Sequence, residues 1–400
     1  MATRVRSYSK INLGLAIGPV RADGFHGLTT LYQTLDLHDL VTVTARRSSA
    51  AADTKITLTT NHPFVPRDGR NTAWRMVERA LAKLGVAAEV TIHIEKRLPV
   101  QGGMGAGSAN AAAALLGLER ELSVALLGVE RLKLAAEIGS DVPLFLLGGA
   151  VLGLGRGEQV VPMPDLPKTW CVVAVPSVGV STPAAFKDWD ARCAAEVADS
   201  KPITDANPPK KDDAAEGELG EGLGITRSVT LTSPPQVDKL QELSLAYSSL
   251  SAPVGVRTGD SRPGTSGIVR DPNPEKKRGL SGKSQADAMN DLAENTLLAL
   301  VRTGIGSDGL QNDFEEVVFP QYPSLRITKR QLMGSDLDSS SVDRPAVYAA
   351  LSGSGSALFG LYRSERDAKA AQLRVQSSGV QALLTETLPR TEYWERMFAE

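Results

Sequence analysis

The stretch "LPVQGGMGAGSANAAAALL", Leu98 to Leu116, constrains this chain more than any other. Four glycines between Gly102 and Gly107 give way at once to an alanine-rich helix former. Glycine lets backbone N–H groups approach a ligand closely, and a helix start presents N–H groups that lack helical partners and carry partial positive charge. Together they suit phosphate. A strand precedes the loop. In "EVTIHIEKRL", Val90, Ile92 and Ile94 fall on one face and Thr91, His93 and Glu95 on the other, the two-residue period of a half-buried strand. After the loop, Ser108 offers a cap and the alanines and leucines carry high helix propensity. Neither common phosphate loop fits this order of strand, glycine loop and helix. A P-loop needs lysine after the glycines, and Gly103, Gly105 and Gly107 alternate where the dinucleotide fingerprint demands G-x-G-x-x-G.

Elsewhere "HDLVTVTARR" reads as a strand, and "NTAWRMVERALAKLG" places Trp74, Val77, Ala80 and Leu81 at helical spacing, closed by Gly85. Strands and helices mix without a strict βαβ repeat, which favours an α+β fold. The chain's 400 residues, 42% of them hydrophobic, suffice for two domains. Forty-four basic residues against 46 acidic ones leave no global basic field, so nucleic acid is not expected as a partner. "VPLFLLGGAVLGLG" is too short and glycine-broken to span a bilayer, and the start of the chain does not read as a secretion signal. Cys171 and Cys193 cannot form a disulfide framework and lack metal-site spacing, which fits a cytoplasmic protein with no dedicated metal site.

Composition changes near residue 190. From Ala191 to Asn290 the single aromatic residue is Tyr247, amid prolines, glycines, serines and mixed charges. Such a segment buries too little apolar surface to offset its ordering entropy, so residues 191–286 read as a disordered insertion with one short helix near "QVDKLQELSLAY". Regular patterning returns in "ADAMNDLAENTLLALV", which reads as helical. "AVYAALSGSGSALFGLY" reads as strand, glycine-serine turn, strand.

What remains of the loop is P-x-x-x-G-M-G-x-G-S-x-N-A-A from Pro99, and it resembles the phosphate loop of the GHMP kinases. "SKINLGL" at Ser9 to Leu15 and "LSGSGSALFG" at Leu351 to Gly360 are similar to that superfamily's N-terminal and C-terminal motifs. Within it, "RADGFHGLTTLYQTLDLHD", "AAEIGSDVPLFLLGGAVLGLGRGE" and "NDFEEVVFP" resemble the branch that phosphorylates 4-diphosphocytidyl-2-C-methyl-D-erythritol in isoprenoid precursor synthesis. The resemblance covers roughly residues 4–190 and 287–365. It implies an ATP-binding N-terminal domain, residues 1–165, with a ribosomal protein S5 domain 2-like fold. Residues 166–400 would form a ferredoxin-like C-terminal domain that carries the insertion.

The resemblance also implies roles. Asp141 would be the base and Lys10 the catalytic cation, beside a bland reading of Asp141 as a helix cap. Asn12, Phe25, His26 and Thr182 would bind substrate, Phe25 stacking on cytosine and His26 reading its edge. ATP would meet Asn71, Lys96, Pro99, Gly102, Gly103, Met104, Gly105, Ala106, Gly107, Ser108 and Ala109, with Mg²⁺ carried on its phosphates. The partner is a small molecule, with neither nucleic acid nor membrane, and the chain is expected to be a monomer or homodimer. Gln101, Ala106 and Ala109 depart from the family's loop, and an alanine where the backbone needs positive φ would strain it. Gly27 stands where a larger residue is common. Another GHMP kinase, of homoserine or mevalonate type, and a catalytically silent relative stay open on these grounds.

Overall fold

The computed structural model describes residues 2–48, 54–100, 102–199, 310–334 and 345–400. Gln101, both helical segments expected between 235 and 302, and most of the insertion lie outside them.

Two long antiparallel strands, β1 (Thr3–Val20) and β2 (His26–Arg47), form the spine, joined by a tight turn in which Gly24 takes φ +80°. β2 begins well before the segment its alternation marks. β3 (Lys55–Thr60) runs parallel to β4 (Ala88–Glu95), and α1 (Thr72–Leu84) connects them. β5 (Ala150–Leu154) and β6 (Gln159–Pro162) form a hairpin on the far end of β2. α2 (Ala106–Leu122) follows the glycine loop and is buried along nearly all its length. Its alanines make it narrow enough to lie against the sheet. At Gly117 an added Cβ would come within 2.7 Å of the Val43 side chain. α3 (Gly128–Ile138) and a 3-10 turn (Pro143–Leu146) complete this half.

The second sheet is wholly antiparallel, in the order β10 (Gln381–Glu386), β7 (Trp170–Val175), β9 (Leu358–Tyr362), β8 (Tyr348–Leu351). α4 (Thr182–Asp199) follows β7, and α5 (Phe314–Gln321) and α6 (Pro323–Met333) lead to β8. α7 (Glu365–Ser377) joins β9 to β10, which gives a ferredoxin-like topology. One face of this sheet packs on its helices. The other buries Cys171, Val173, Phe359 and Leu361 against Ile11, Leu13, Leu31 and Leu35 of the spine, so a single core welds the two halves.

Two features depart from the sequence reading. α4 continues to Asp199, past the boundary drawn at residue 191, because Ala191, Ala194, Ala195 and Glu196 prolong a favourable helix beyond the change in composition. The C-terminus, meanwhile, returns to the first half. After α8 (Arg390–Glu395), β11 (Phe398–Ala399) pairs with Arg4 and Val5 of β1, and Tyr393 lies 5.1 Å from the Tyr8 ring. Among the described residues no helix is long and apolar enough to cross a membrane.

Candidate active site

The pairing of β1 with β2 slips in register between Tyr8 and Ser9 and between Asn12 and Gly14, so a short stretch centred on Lys10 is set off from regular pairing. Such irregularities re-aim side chains next to functional sites. Ile11 and Leu13 point into the core shared by the two halves, while Lys10 and Asn12 face the other way and are each 2% exposed. A buried ammonium must be paired. Lys10 Nζ donates to Asn12 Oδ1 and to the Gly103 carbonyl, both at 2.7 Å, and lies 3.4 Å from Asp141 Oδ2. Asn12 in turn donates to Thr30 Oγ1 at 2.8 Å.

Asp141 stands in the turn between α3 and the 3-10 helix. That helix has Val142 as its N-cap and no side-chain cap bond, so the carboxylate is not spent on capping. Instead Oδ1 accepts a 3.0 Å hydrogen bond from the Tyr32 hydroxyl. Burial first, and then the Asp141 charge and its hydrogen bond, hold the Tyr32 phenol well above the usual tyrosine range. Tyr32 is not part of any of the sequence motifs' assigned roles.

The glycine loop is tied to this pair on one side and to the C-terminal glycine turn on the other. Met104 O accepts from Lys10 N at 3.0 Å, Gly103 O from Ser352 Oγ at 3.0 Å, and Gly102 O from Ala357 N at 3.1 Å. Gly103 and Gly105 take φ +76° and +71°. An added Cβ at Gly105 would sit 2.9 Å from the Phe145 ring and 3.1 Å from Lys10 Cγ, so glycine is required there on both counts. The alanine departures carry no such strain. Gly105 is the N-cap of α2, Ala106 is its first helical residue and Ala109 is a buried helical residue, so neither needs positive φ.

Because no side chain caps α2, the backbone N–H groups of Ala106, Gly107 and Ser108 open toward a cavity of about 380 Å³. Pro99, Gly102, Gly103, Met104 and Gly105 also line it; Ala109 does not. Asn71 and Lys96 line it too, but their polar groups are already engaged. Asn71 caps α1, accepting from Ala73 N at 2.9 Å and donating to Pro66 O at 2.8 Å. The Lys96 ammonium, 4% exposed, pairs with Asp39, which also accepts from the amides of Arg97 and Leu98 at 2.8 Å. Asp39 thus fixes the strand end from which the loop departs.

A second cavity, about 600 Å³, shares Gly102 and Gly103 with the first and is closed by Ser181, Thr182, Ser354 and Ser356. Thr182 Oγ1 and Ser354 Oγ are 2.7 Å apart, which links the start of α4 to the glycine turn. Asn312, in the "NDFEEVVFP" segment, donates at 2.8 Å to the carbonyls of Leu351 and Gly353, and so holds that turn from behind.

A third cavity, about 380 Å³, holds Phe25 and His26. Phe25 is 53% exposed, with the Arg156 guanidinium 4.9 Å from its ring centre. His26 is not a surface histidine. At 9% exposure it opens β2, with Nδ1 2.9 Å from the Gly18 carbonyl, Nε2 3.1 Å from Asp190 Oδ1 and its ring stacked at 5.0 Å on Phe186. The structure therefore brings Lys10, Asn12, Asp141 and the glycine loop together, while Phe25 and His26 line a cavity that also reaches Ser140, next to Asp141. Tyr32, Thr30, Asp39, Arg156, Phe186 and Asp190 are the participants that sequence motifs alone do not single out.

Residues 71–149 match the GHMP kinases N terminal domain and residues 287–381 the GHMP kinases C terminal model. The chain is 33% identical over 253 residues to a 4-diphosphocytidyl-2-C-methyl-D-erythritol kinase of Alkaliphilus metalliredigens, a match covering 62% of this chain and 83% of that one. It is 44% identical over 186 residues to the kinase of that name from Nocardia farcinica, covering 46% of this chain and 59% of the other. Among solved structures, a 4-(cytidine 5'-diphospho)-2C-methyl-D-erythritol kinase superposes with a TM-score of 0.55 at 22% identity, covering 96% of this chain and 99% of that one. L. major mevalonate kinase superposes with a TM-score of 0.52 at 13% identity and 96% coverage of each chain, a likeness of fold alone. The two matched domains and the extent of the Alkaliphilus match together make this chain a member of the 4-diphosphocytidyl-2-C-methyl-D-erythritol kinase family of GHMP kinases.

Proposed function

We propose that the protein transfers the γ-phosphoryl group of ATP to the 2-hydroxyl of 4-diphosphocytidyl-2-C-methyl-D-erythritol, giving the 2-phosphate and ADP. The observation that carries this reading is the Lys10–Asp141 pair, 3.4 Å apart, set directly beside the glycine loop through the Gly103 carbonyl. Phosphoryl transfer asks a protein mainly for positioning, charge stabilisation and a group to take the hydroxyl proton. ATP enters as its magnesium complex, which supplies neutralisation of the β and γ phosphates, so the protein needs no metal cluster of its own. The free N–H groups at the start of α2 then receive phosphate oxygens.

As the bond from the substrate oxygen to the γ-phosphorus forms and the bond to the ADP oxygen breaks, the hydroxyl proton passes to the Asp141 carboxylate. Lys10 stabilises negative charge on the transferring group. The exposed Phe25 ring, backed by Arg156, offers a platform for the cytosine. Thr182 borders the cavity between the two ligands. Because His26 already has partners on both ring nitrogens, its role is to fix the Phe25 turn unless Asp190 gives way to the base.

The test is ATP-dependent turnover of 4-diphosphocytidyl-2-C-methyl-D-erythritol by the purified protein, beside mevalonate and homoserine. Turnover of the cytidyl substrate alone, with loss of about a hundredfold or more in Asp141→Asn, is expected for removal of a general base. Turnover of mevalonate or homoserine instead, or an Asp141→Asn variant as fast as the parent, would reject it.

A further inference from the structure

Tyr32 is 2% exposed in the middle of β2, yet it ends in a hydroxyl. Buried hydroxyls are held by partners, and here the partner is the Oδ1 atom of Asp141, 3.0 Å away. The chain makes specific room for this side chain. An added Cβ at Gly153 of β5 would approach the edge of the Tyr32 ring at 2.5 Å, and one at Gly157, in the β5–β6 turn, would collide with the hydroxyl itself. Two glycines of one hairpin thus leave a slot that steers the phenol toward the carboxylate.

The two oxygens of Asp141 are divided between two donors. Oδ1 takes the Tyr32 hydroxyl, and Oδ2 faces Lys10, whose ammonium is shared with Asn12 and Gly103. Asp141 is also the more open member of its pair, its side chain 31% exposed against 3% for Lys10, and it lies in a turn that gives its carboxylate no capping bond. Without the hydroxyl, Lys10 alone would fix the orientation of that carboxylate. We propose that Tyr32 is a positioning residue for phosphoryl transfer, locking the Asp141 carboxylate so that one lone pair faces the substrate hydroxyl. This inference rests on the reading of Asp141 as the base. Tyr32 stays a donor at any working pH, since burial and the adjacent carboxylate both keep its proton on.

The experiment is steady-state kinetics of Tyr32→Phe on the cytidyl substrate, with thermal melting as the check on folding. Misplacing a catalytic group without removing it is expected to lower kcat about tenfold, with both KM values within about twofold and the melting temperature nearly unchanged. In an Asp141→Asn background the same substitution is expected to cost almost nothing, because its effect passes through the carboxylate. Tyr32→Phe with parental kcat would overturn the inference. So would a kcat loss equal in both backgrounds, or a change confined to KM or to stability. A parent protein with no turnover at all would refute the proposed reaction itself, and the inference with it.

Discussion

Lys10 carries a charge at 2% exposure, and what holds it differs from what it is for. Asn12 Oδ1 and the Gly103 carbonyl satisfy its hydrogens at 2.7 Å, whereas the longer contact to Asp141 is the one that chemistry would use. Replacing a whole buried ion pair by apolar groups is often neutral for stability, but removing one member alone leaves its partners unpaired and destabilises the fold. Lys10→Met is therefore expected to melt below the parent temperature as well as to lose turnover, because Asn12 Oδ1 and the Gly103 carbonyl are left without their donor, which calorimetry and a kinetic assay on one preparation would reveal. Turnover retained in a folded Lys10→Met variant would place Lys10 among the structural residues. At this scale the two side chains that the fold sets side by side, Lys10 and Asp141, were legible in "SKINLGL" and "GSDVPLF", because each lies within a short motif. Tyr32 was not, since nothing local in "TTLYQTL" announces that its hydroxyl meets a carboxylate over a hundred residues away. Lys96 lines the cavity beside the glycine loop, but its pairing with Asp39 was illegible for the same reason.

Helix ends decide how α2 and α1 border the cavity beside the glycine loop. Ala106 occupies a helical position, so restoring the family's glycine there should improve nothing. Ala106→Gly is expected to cost about 1 kcal/mol or less of stability and to leave the KM for ATP unchanged, read by denaturant unfolding and kinetics. Gly105→Ala should do the opposite, because φ of +71° and the nearby Phe145 and Lys10 side chains admit no Cβ. Loss of ATP use is expected, and an unaffected KM would show that the loop tolerates displacement. Asn71 is an α1 cap before it is a ligand contact, and Asn71→Ala should cost about 1 kcal/mol in a melt performed without nucleotide. The helices and strands themselves were largely readable. Alternation marked β4, and 3.6-residue spacing with a terminal glycine marked α1. Which loop residue takes positive φ was not readable, because spacing does not set the phase of the turn that precedes a helix.

For the whole molecule, the buried phenols and thiol set an alkaline limit. Burial raises Tyr8, Tyr32, Tyr362, Tyr393 and Cys171 above their ordinary values, so the folded protein keeps protons that the unfolded chain has released. Stability from these groups is complete below the unfolded values, about 8.5 for cysteine and about 10 for tyrosine, and is lost as pH rises beyond them. The melting temperature is expected to be level with respect to these groups up to about pH 8.5, then to decline and to steepen above about pH 10. In Cys171→Ala the first part of that decline should vanish, whereas a profile identical to the parent would remove Cys171 from the account.

The sequence by itself determined the α+β class, the order of strand, glycine loop and helix, and the identity of the chemistry-bearing motifs. Backbone periodicity, glycine and short-range spacing act within a few residues, so they survive in the string of letters. Only the tertiary structure decided that β11 closes on β1, that the two sheets share one core, that His26 is walled in by Asp190 and Phe186, and that Tyr32 reaches Asp141. Those contacts join residues far apart in the chain, and their geometry follows from packing whole elements against one another.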